Sequence, residues 1–182
     1  MNKSINYLIK NRTLYLAIAS TLAFFIYITT ILTPLSSCFK LETGASSIGL
    51  SFSYSPEMVQ KFFEARNQEQ LICYSKFLQI WDTIFAFLYT LMYASWIVFF
   101  FNNKRFLLIV PILCMVADWV ENYVELSMLK IYLNSGAISE NLVSIGSGIN
   151  SFKWILSSST FLILLIGIIF KLKVLLSKPK LN

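Results

Sequence analysis

Four long apolar runs constrain this chain more than any other feature. They cover residues 14–33, 77–101, 106–129 and 152–172, and each provides the roughly 20 residues that a helix needs to cross the ~30 Å apolar core of a bilayer. The runs are continuous rather than alternating, which favours helices over strands, and lipid cannot satisfy free backbone N–H and C=O groups. The sequence therefore predicts an all-α, polytopic integral membrane protein of one membrane domain, residues 1–182, folded as a four-helix transmembrane bundle.

The composition agrees with this class and excludes several others. Hydrophobic residues make up 57% of the chain and charged residues 13%, whereas a soluble domain carries about 25% charged residues. Disorder requires low hydrophobicity and is excluded. The chain contains no histidine, which removes histidine-based catalytic pairs, haem ligation and histidine metal sites. It also has no CxxC pair, and we expect neither a metal nor a cofactor.

The basic residues set the expected orientation. The net charge is +6, and the basic residues that produce it lie beside the apolar runs. This placement is typical of the positive-inside rule and argues against a nucleic-acid partner. Nine basic and no acidic residues lie in three regions: the tail 1–13, the link 102–105 and the C-terminal end from Lys171, which includes the tail 173–182. The connections 34–76 and 130–151 contain both basic and acidic residues. We expect both termini on the cytoplasmic side of a bacterial inner membrane or its equivalent, and both connections to be outer loops.

The first outer loop carries signals of its own. Ser55-Pro56-Glu57 predicts a helix start, with serine as cap and proline in the first turn. An apolar face follows, formed by Met58, Val59, Phe62 and Phe63. The pattern predicts a short amphipathic helix that lies on the membrane surface or caps the bundle.

Cys38 permits two further interpretations. It shares the first outer loop with Cys73, and the two could pair in an oxidising compartment, although spacing alone does not fix disulfide geometry. The sequence 35–38 also resembles a lipoprotein cleavage box. The apolar run before it has about 20 residues, longer than the ~7–15 of a signal-peptide core, which favours an uncleaved helix.

Ionisable side chains inside the runs are the strongest functional signal. Asp118, Glu121, Asn122 and Glu125 lie at i, i+3, i+4 and i+7 of the third run and share one helical face. A charge at mid-membrane costs ~2.5–3.5 kcal/mol on insertion scales, so such groups normally face the bundle and find a partner. Glu125 and Lys153 lie near the interface, and the alternative for both is that they extend towards the headgroups.

The other runs add further polar groups. Asp82 lies near the outer start of the second run, with the deeper Tyr89 and Tyr93 on roughly the same stripe, and Lys153 and Ser157 lie in the fourth run. Helix connectivity predicts that Asp82 and Lys153 meet Asp118 and Glu121 in the outer half of the bundle. Because like charges disfavour ionisation, we expect at least one of the three inner carboxyls to be protonated at neutral pH. The predicted site has Asp118, Glu121 and Asp82 as proton-donating or catalytic groups, and Asn122, Lys153, Tyr89, Tyr93 and Ser157 as ligand-contacting groups.

The layout resembles the EXPERA-type four-helix membrane proteins, the sterol isomerase and sigma-2 receptor group. The shared features are about 180 residues, four spans, a long first outer loop, a basic link before the third span, a lysine-rich tail and an acid, Asp82, near the start of the second span. The histidine and the first-span acid of that group have no counterparts here. The resemblance therefore implies a cavity for an apolar molecule and no particular reaction.

Three functions remain open from the sequence. The first is binding of a lipid-like or small apolar ligand in a polar-floored cavity, with or without acid–base chemistry. The second is an accessory or assembly subunit of a larger membrane complex, in which the polar face would meet a partner subunit. The third is proton or cation translocation, which the apolar stretch 106–117 opposes. Buried acid–lysine contacts that only hold helices together are the structural alternative. Membrane lipids are expected partners in every case.

Overall fold

The structure, a computed structural model, describes residues 3–42 and 46–177. All regular structure in those two ranges is helical. The α-helices are α1 (Lys3–Tyr27), α2 (Thr33–Ser36), α3 (Pro56–Glu64), α4 (Gln68–Lys76), α5 (Thr83–Phe100), α6 (Ile109–Ser135) and α7 (Glu140–Leu176). Two π-helical segments, Ile28–Leu32 and Phe77–Asp82, join α1 to α2 and α4 to α5, and two 3₁₀ turns cover Ile48–Leu50 and Arg105–Leu108. The predicted tails extend into residues 1–2 and 178–182, which lie outside the described ranges.

Four of the resulting helices are long and apolar enough to cross a membrane. They are Asn11–Ser36, Gln68–Phe100, Arg105–Ser135 and Glu140–Val174. The all-helical class and the number of long apolar helices are thereby confirmed. Helix α5 packs against α1, α6 and α7, and α6 packs closely along α7, so α5 lies at the centre of the bundle.

The helices extend beyond the apolar runs that predicted them. The first continues through Pro34, where the sequence suggested an end. A proline lacks an N–H and its ring clashes with the carbonyl of residue i−4; the π segment Ile28–Leu32 directly precedes it and changes the hydrogen-bond register there.

The connection between the third and fourth long helices is much shorter than the predicted loop 130–151. Helix α6 continues to Ser135, and Gly136 ends it in the left-handed conformation, with φ of 68°. Ser139 then caps α7 by accepting a hydrogen bond from the N–H of Leu142 at 3.5 Å. Only the bounds of the predicted loop were wrong, because the residues on both sides of this turn are helical despite their serine and glycine content.

The predicted helix in the first connection is confirmed. Ser55 Oγ accepts the N–H of Met58 at 3.4 Å, and α3 follows. Val59, Phe62 and Phe63 are buried in one apolar cluster, so α3 caps the bundle, but Met58 is 45% exposed and does not belong to that face.

A second helix in this connection, α4, was not expected from the sequence. It begins with a capping box. Asn67 Oδ1 accepts the backbone N–H of Gln70 at 2.9 Å, and Gln70 Oε1 accepts the backbone N–H of Asn67 at 3.0 Å. A disulfide between Cys38 and Cys73 ties α4 to the end of the first long helix. The pairing that spacing left open is therefore present.

Candidate functional site

A cavity of about 410 Å³ lies among the long helices, beneath the segment 46–50. Most of its wall area is apolar, and the aromatic and aliphatic residues that line it include Phe24, Leu32, Phe39, Leu50, Phe77, Leu78, Phe85, Trp154 and Phe161. Its polar lining includes every residue that the sequence predicted for the site: Asp82, Tyr89, Tyr93, Asp118, Glu121, Asn122, Lys153 and Ser157. The structure thus brings all eight predicted residues to one cavity.

Lys153 of α7 is the centre of the polar lining. Its ammonium lies 3.1 Å from Asp118 Oδ1 and forms a second ion pair with Glu121 Oε2. The side chains are 14%, 7% and 1% exposed, respectively, so the three charges are withdrawn from solvent. The period of α6 places both acids on the face that meets α7. One ammonium therefore serves two carboxyl groups.

Two tyrosines continue the polar lining away from Lys153. The hydroxyl of Tyr89 donates to Asp118 Oδ2 at 3.1 Å. Tyr93, one turn further along α5, packs with its ring 5.8 Å from Tyr89 and edge-on to Phe161 at 5.5 Å. Cys114 Sγ lies 3.7 Å from the Tyr89 hydroxyl and marks the end of this polar row.

Asp82 joins the site through Asn122. The side-chain amide of Asn122 donates to Asp82 Oδ2 at 2.8 Å. Asp82 is the last residue of the π segment Phe77–Asp82, and π segments frequently occur at functional sites because they re-aim side chains. In the same segment, the carbonyl of Trp81 accepts the Tyr27 hydroxyl at 2.7 Å, which joins the π segment to α1.

Glu125 is a fourth acid of the site, and its buried position excludes the alternative in which it extends towards the headgroups. Its side chain is 1% exposed and accepts a hydrogen bond from the hydroxyl of Tyr74, a residue of α4. The i+7 spacing from Asp118 already placed Glu125 on the inner face. Nothing in the sequence indicated Tyr74.

The roof of the cavity is the segment 46–54, which lines the cavity with residues 46, 47, 49 and 50 and is held by α7 through the backbone of residues 49–54. Trp154 Nε1 donates to the Gly49 carbonyl at 3.1 Å, and Asn150 Nδ2 donates to the Ser51 carbonyl at 2.5 Å. Further contacts join Ser151 Oγ to the Phe52 carbonyl at 3.0 Å and the Tyr54 N–H to Ser147 Oγ at 2.9 Å. The residues that donate or accept on α7 lie at i, i+3, i+4 and i+7, so one helical stripe fixes the roof.

The roof approaches the acids closely at Gly49. A Cβ added there would lie 2.7 Å from Glu121 Oε1 and 3.3 Å from Glu125 Oε1, so both oxygens point to one spot. The Tyr54 hydroxyl is buried near the same acids and, like Glu121 Oε1, has no donor or acceptor partner among the described residues. Burial raises the pKa of Tyr54, and the neighbouring Glu125 and Glu121 raise it further, so this hydroxyl stays neutral and can donate.

The chemistry available here is hydrogen bonding and proton exchange. Four carboxyl groups surround one inner ammonium, with Lys40 at the exposed rim. No group of three or more acids and cysteines within the described ranges is arranged to hold a metal ion. Because a low-polarity interior does not hold several unpaired carboxylates, protons or a polar ligand must complete the charge balance.

Comparisons of this chain with protein-family models, with curated proteins and with solved structures give no match.

Proposed function

We propose that this protein spans a membrane four times, with both termini in the cytoplasm, and binds a lipid-like or small apolar ligand that carries one polar group. The observation that supports this proposal is an apolar cavity of about 410 Å³ with a buried polar cluster on one side. Sites for small molecules commonly measure about 300–1,000 Å³ and combine apolar walls with a few convergent polar groups.

We assign a role in ligand binding to each predicted residue of the polar cluster. Asp118 and Glu121, held by Lys153, face the cavity and offer hydrogen bonds or a proton to the polar group of the ligand. Asp82 does the same from the end of the π segment, where the side-chain amide of Asn122 donates to it at 2.8 Å. Tyr89, Tyr93 and Ser157 line the deeper part beside Phe161 and contact the body of the ligand. Acid–base chemistry on the bound molecule is an extension that this arrangement supports.

Two features favour ligand binding over the other functions. In an accessory subunit, the polar face of α6 would meet a partner helix, but in this fold that face packs on α5 and α7, with Asp118, Glu121 and Glu125 buried. In a proton or cation pathway, ionisable groups would continue through the bundle. Here the described polar row ends near Cys114, and residues 106–113 supply no acid or base.

A steric plug tests the proposal. Ser157→Trp would fill the deep end of the cavity, whereas Ser158→Trp puts the same side chain on the exposed neighbouring position of α7. The protein is purified from membranes in mild detergent, extracted with organic solvent, and the extract is quantified by mass spectrometry per mole of protein. We expect a molecule that co-purifies with wild type and with Ser158→Trp, and falls about tenfold, or 1.4 kcal/mol, in Ser157→Trp.

A second variant examines the polar end. Asp118→Asn keeps the shape but removes the acid, and Glu69→Gln makes the same chemical change at an exposed position of α4. The retained amount of ligand should fall only in the first. If all four variants carry the same molecules as wild type, the cavity is not the binding site and the proposal fails.

A further inference from the structure

We propose that the ligand is a chain-bearing membrane lipid that enters the cavity sideways from the bilayer, through a gap between the first long helix and α7. The polar end of the lipid lies at the Lys153 cluster, and its hydrocarbon chain leaves the cavity through the gap. This inference rests on the proposed function, because it gives the ligand class and the route of entry for the same cavity.

The wall of the cavity is closed where α6 forms it. The five side chains that α6 contributes are all buried: Cys114, Asp118, Glu121, Asn122 and Glu125. Tyr89 and Tyr93 of α5, which continue this wall, are buried as well. A ligand therefore does not reach the polar cluster through the α5–α6 side of the bundle.

The exposed residues of the wall lie on the other elements. They are Thr33 and Lys40 at the end of the first long helix, Leu50 of the roof and Phe161 of α7. Phe161 is 58% exposed and Leu50 is 63% exposed, although both line the cavity. The cavity therefore reaches the molecular surface on the side of the first long helix and α7.

The first long helix is attached to the α4–α5 side of the bundle. Trp96 Nε1 of α5 donates to Thr21 Oγ1 at 2.9 Å, and the ring of Phe24 stacks on Phe85 at 5.6 Å. The Cys38–Cys73 disulfide fixes the end of this helix to α4. These attachments extend along the helix and hold it away from α7.

Helix α7 is held by other partners. It packs along α6 and on α5, and its outer part holds the roof. Among the described residues, no packing of comparable extent joins α7 to the first long helix. Because both nevertheless line the same cavity, a gap between them connects the cavity with the outside.

The edges of the gap suit a hydrocarbon chain. Phe24 and Leu32 lie on one side, and Phe161 lies on the other, one turn beyond Ser157. All of them belong to helices that are long and apolar enough to cross a membrane. Lipid tails are as apolar as leucine, so a chain that moves from the bilayer into this gap exposes no apolar surface to water.

The size of the cavity supports a ligand that extends beyond it. A volume of about 410 Å³ is near the lower end of the range of about 300–1,000 Å³ for small-molecule sites. It accommodates a polar end and part of a chain. Along α7, the stripe Lys153, Ser157, Phe161 leads from the polar cluster to the gap, so the remaining part of the chain has a direct exit.

Photocrosslinking in proteoliposomes tests the proposal. The probe is a monoacylglycerol with a diazirine in the middle of its acyl chain, added to liposomes that contain the full chain. Samples are irradiated at successive times, and labelled residues are mapped by mass spectrometry. We expect labelling at Tyr93, which is buried and lines the cavity, and only background at Ile97, which is buried one turn further along α5 but is not part of the lining.

Two variants change the width of the gap, and each has a matched control. Leu32→Trp should slow the labelling of Tyr93 about tenfold, because a larger ring in the gap raises the barrier to passage of a chain. Phe161→Ala should speed it. Thr30→Trp and Leu162→Ala make the corresponding changes at exposed positions outside the cavity lining and should leave the rate unchanged.

A further variant examines entry from water. Lys40→Trp obstructs the exposed polar rim of the cavity and should not alter the labelling rate. If Leu32→Trp does not fold, Phe161→Ala decides the result.

Three results would overturn the proposal. They are equal labelling of Tyr93 and Ile97, a rate unchanged in both Leu32→Trp and Phe161→Ala, and slow labelling in Lys40→Trp, which would show entry from the aqueous rim. Each of these leaves ligand binding itself to the co-purification experiment with Ser157→Trp, so the two proposals fail separately.

Discussion

Replacement of Lys153 by methionine should be one of the most destabilising single changes in this protein. Methionine keeps the length and the apolar stem but removes the ammonium, which leaves Asp118 and Glu121 buried without their shared cation. Removing one partner of a buried pair costs about 3–5 kcal/mol, because the remaining charge stays away from water. For a chain of this size, 1 kcal/mol shifts Tm by about 2–4 °C, so the expected loss is roughly 6–20 °C.

Neutralising the acids should recover most of that loss. Asp118→Asn and Glu121→Gln, combined with Lys153→Met, leave only uncharged groups of nearly the same shape, and such replacements of buried ion pairs are often neutral or stabilising. The assay is unfolding in mixed micelles, followed by circular dichroism and tryptophan fluorescence. The control is Lys130→Met, an exposed lysine on α6, for which a change within about 0.5 kcal/mol is expected.

A small loss of stability in Lys153→Met would contradict this prediction. If Lys153→Met costs less than about 1 kcal/mol, the pair behaves like a solvent-exposed one, and the cavity must be hydrated rather than dry. If the triple variant is no more stable than Lys153→Met alone, the loss does not come from uncompensated carboxylates.

Two further predictions concern the roof and its attachment. Replacing Cys38 and Cys73 by serine should lower the free energy of unfolding by about 4 kcal/mol in the chain-entropy treatment, because the disulfide closes a loop with a sequence separation of 35. Thermal unfolding with and without reductant measures this loss. A wild-type Tm that does not respond to full reduction would contradict the prediction. Gly49→Ala should cost about 1–3 kcal/mol, because the new methyl group would meet Glu121 at 2.7 Å. The control in the same unfolding assay is Gly148→Ala, which should be neutral or stabilising because an added Cβ there meets nothing within 4 Å. Equal losses of stability in the two variants would show that Glu121 does not constrain Gly49.

The sequence alone determined the class of fold and one face of the site. Continuous apolar runs of this length predict long helices, because a helix satisfies the backbone N–H and C=O groups within the segment itself. The 3.6-residue period similarly placed Asp118, Glu121 and Asn122 together, since the side chains of one helix face follow from spacing alone. Ser55 and Pro56 marked the start of α3 for the same local reason.

Only the tertiary structure decided which groups oppose that face. Tyr74 and Glu125 are 51 positions apart, and Trp154 and Gly49 are 105 apart, so no local pattern relates them. Spacing shows which side of a helix is polar but not which element packs against it. The cavity, the backbone contacts of the roof and the Cys38–Cys73 bond all depend on how α4 and α7 pack against the rest of the bundle. Those positions follow from the burial of many side chains at once, a property of the whole fold that no single segment contains.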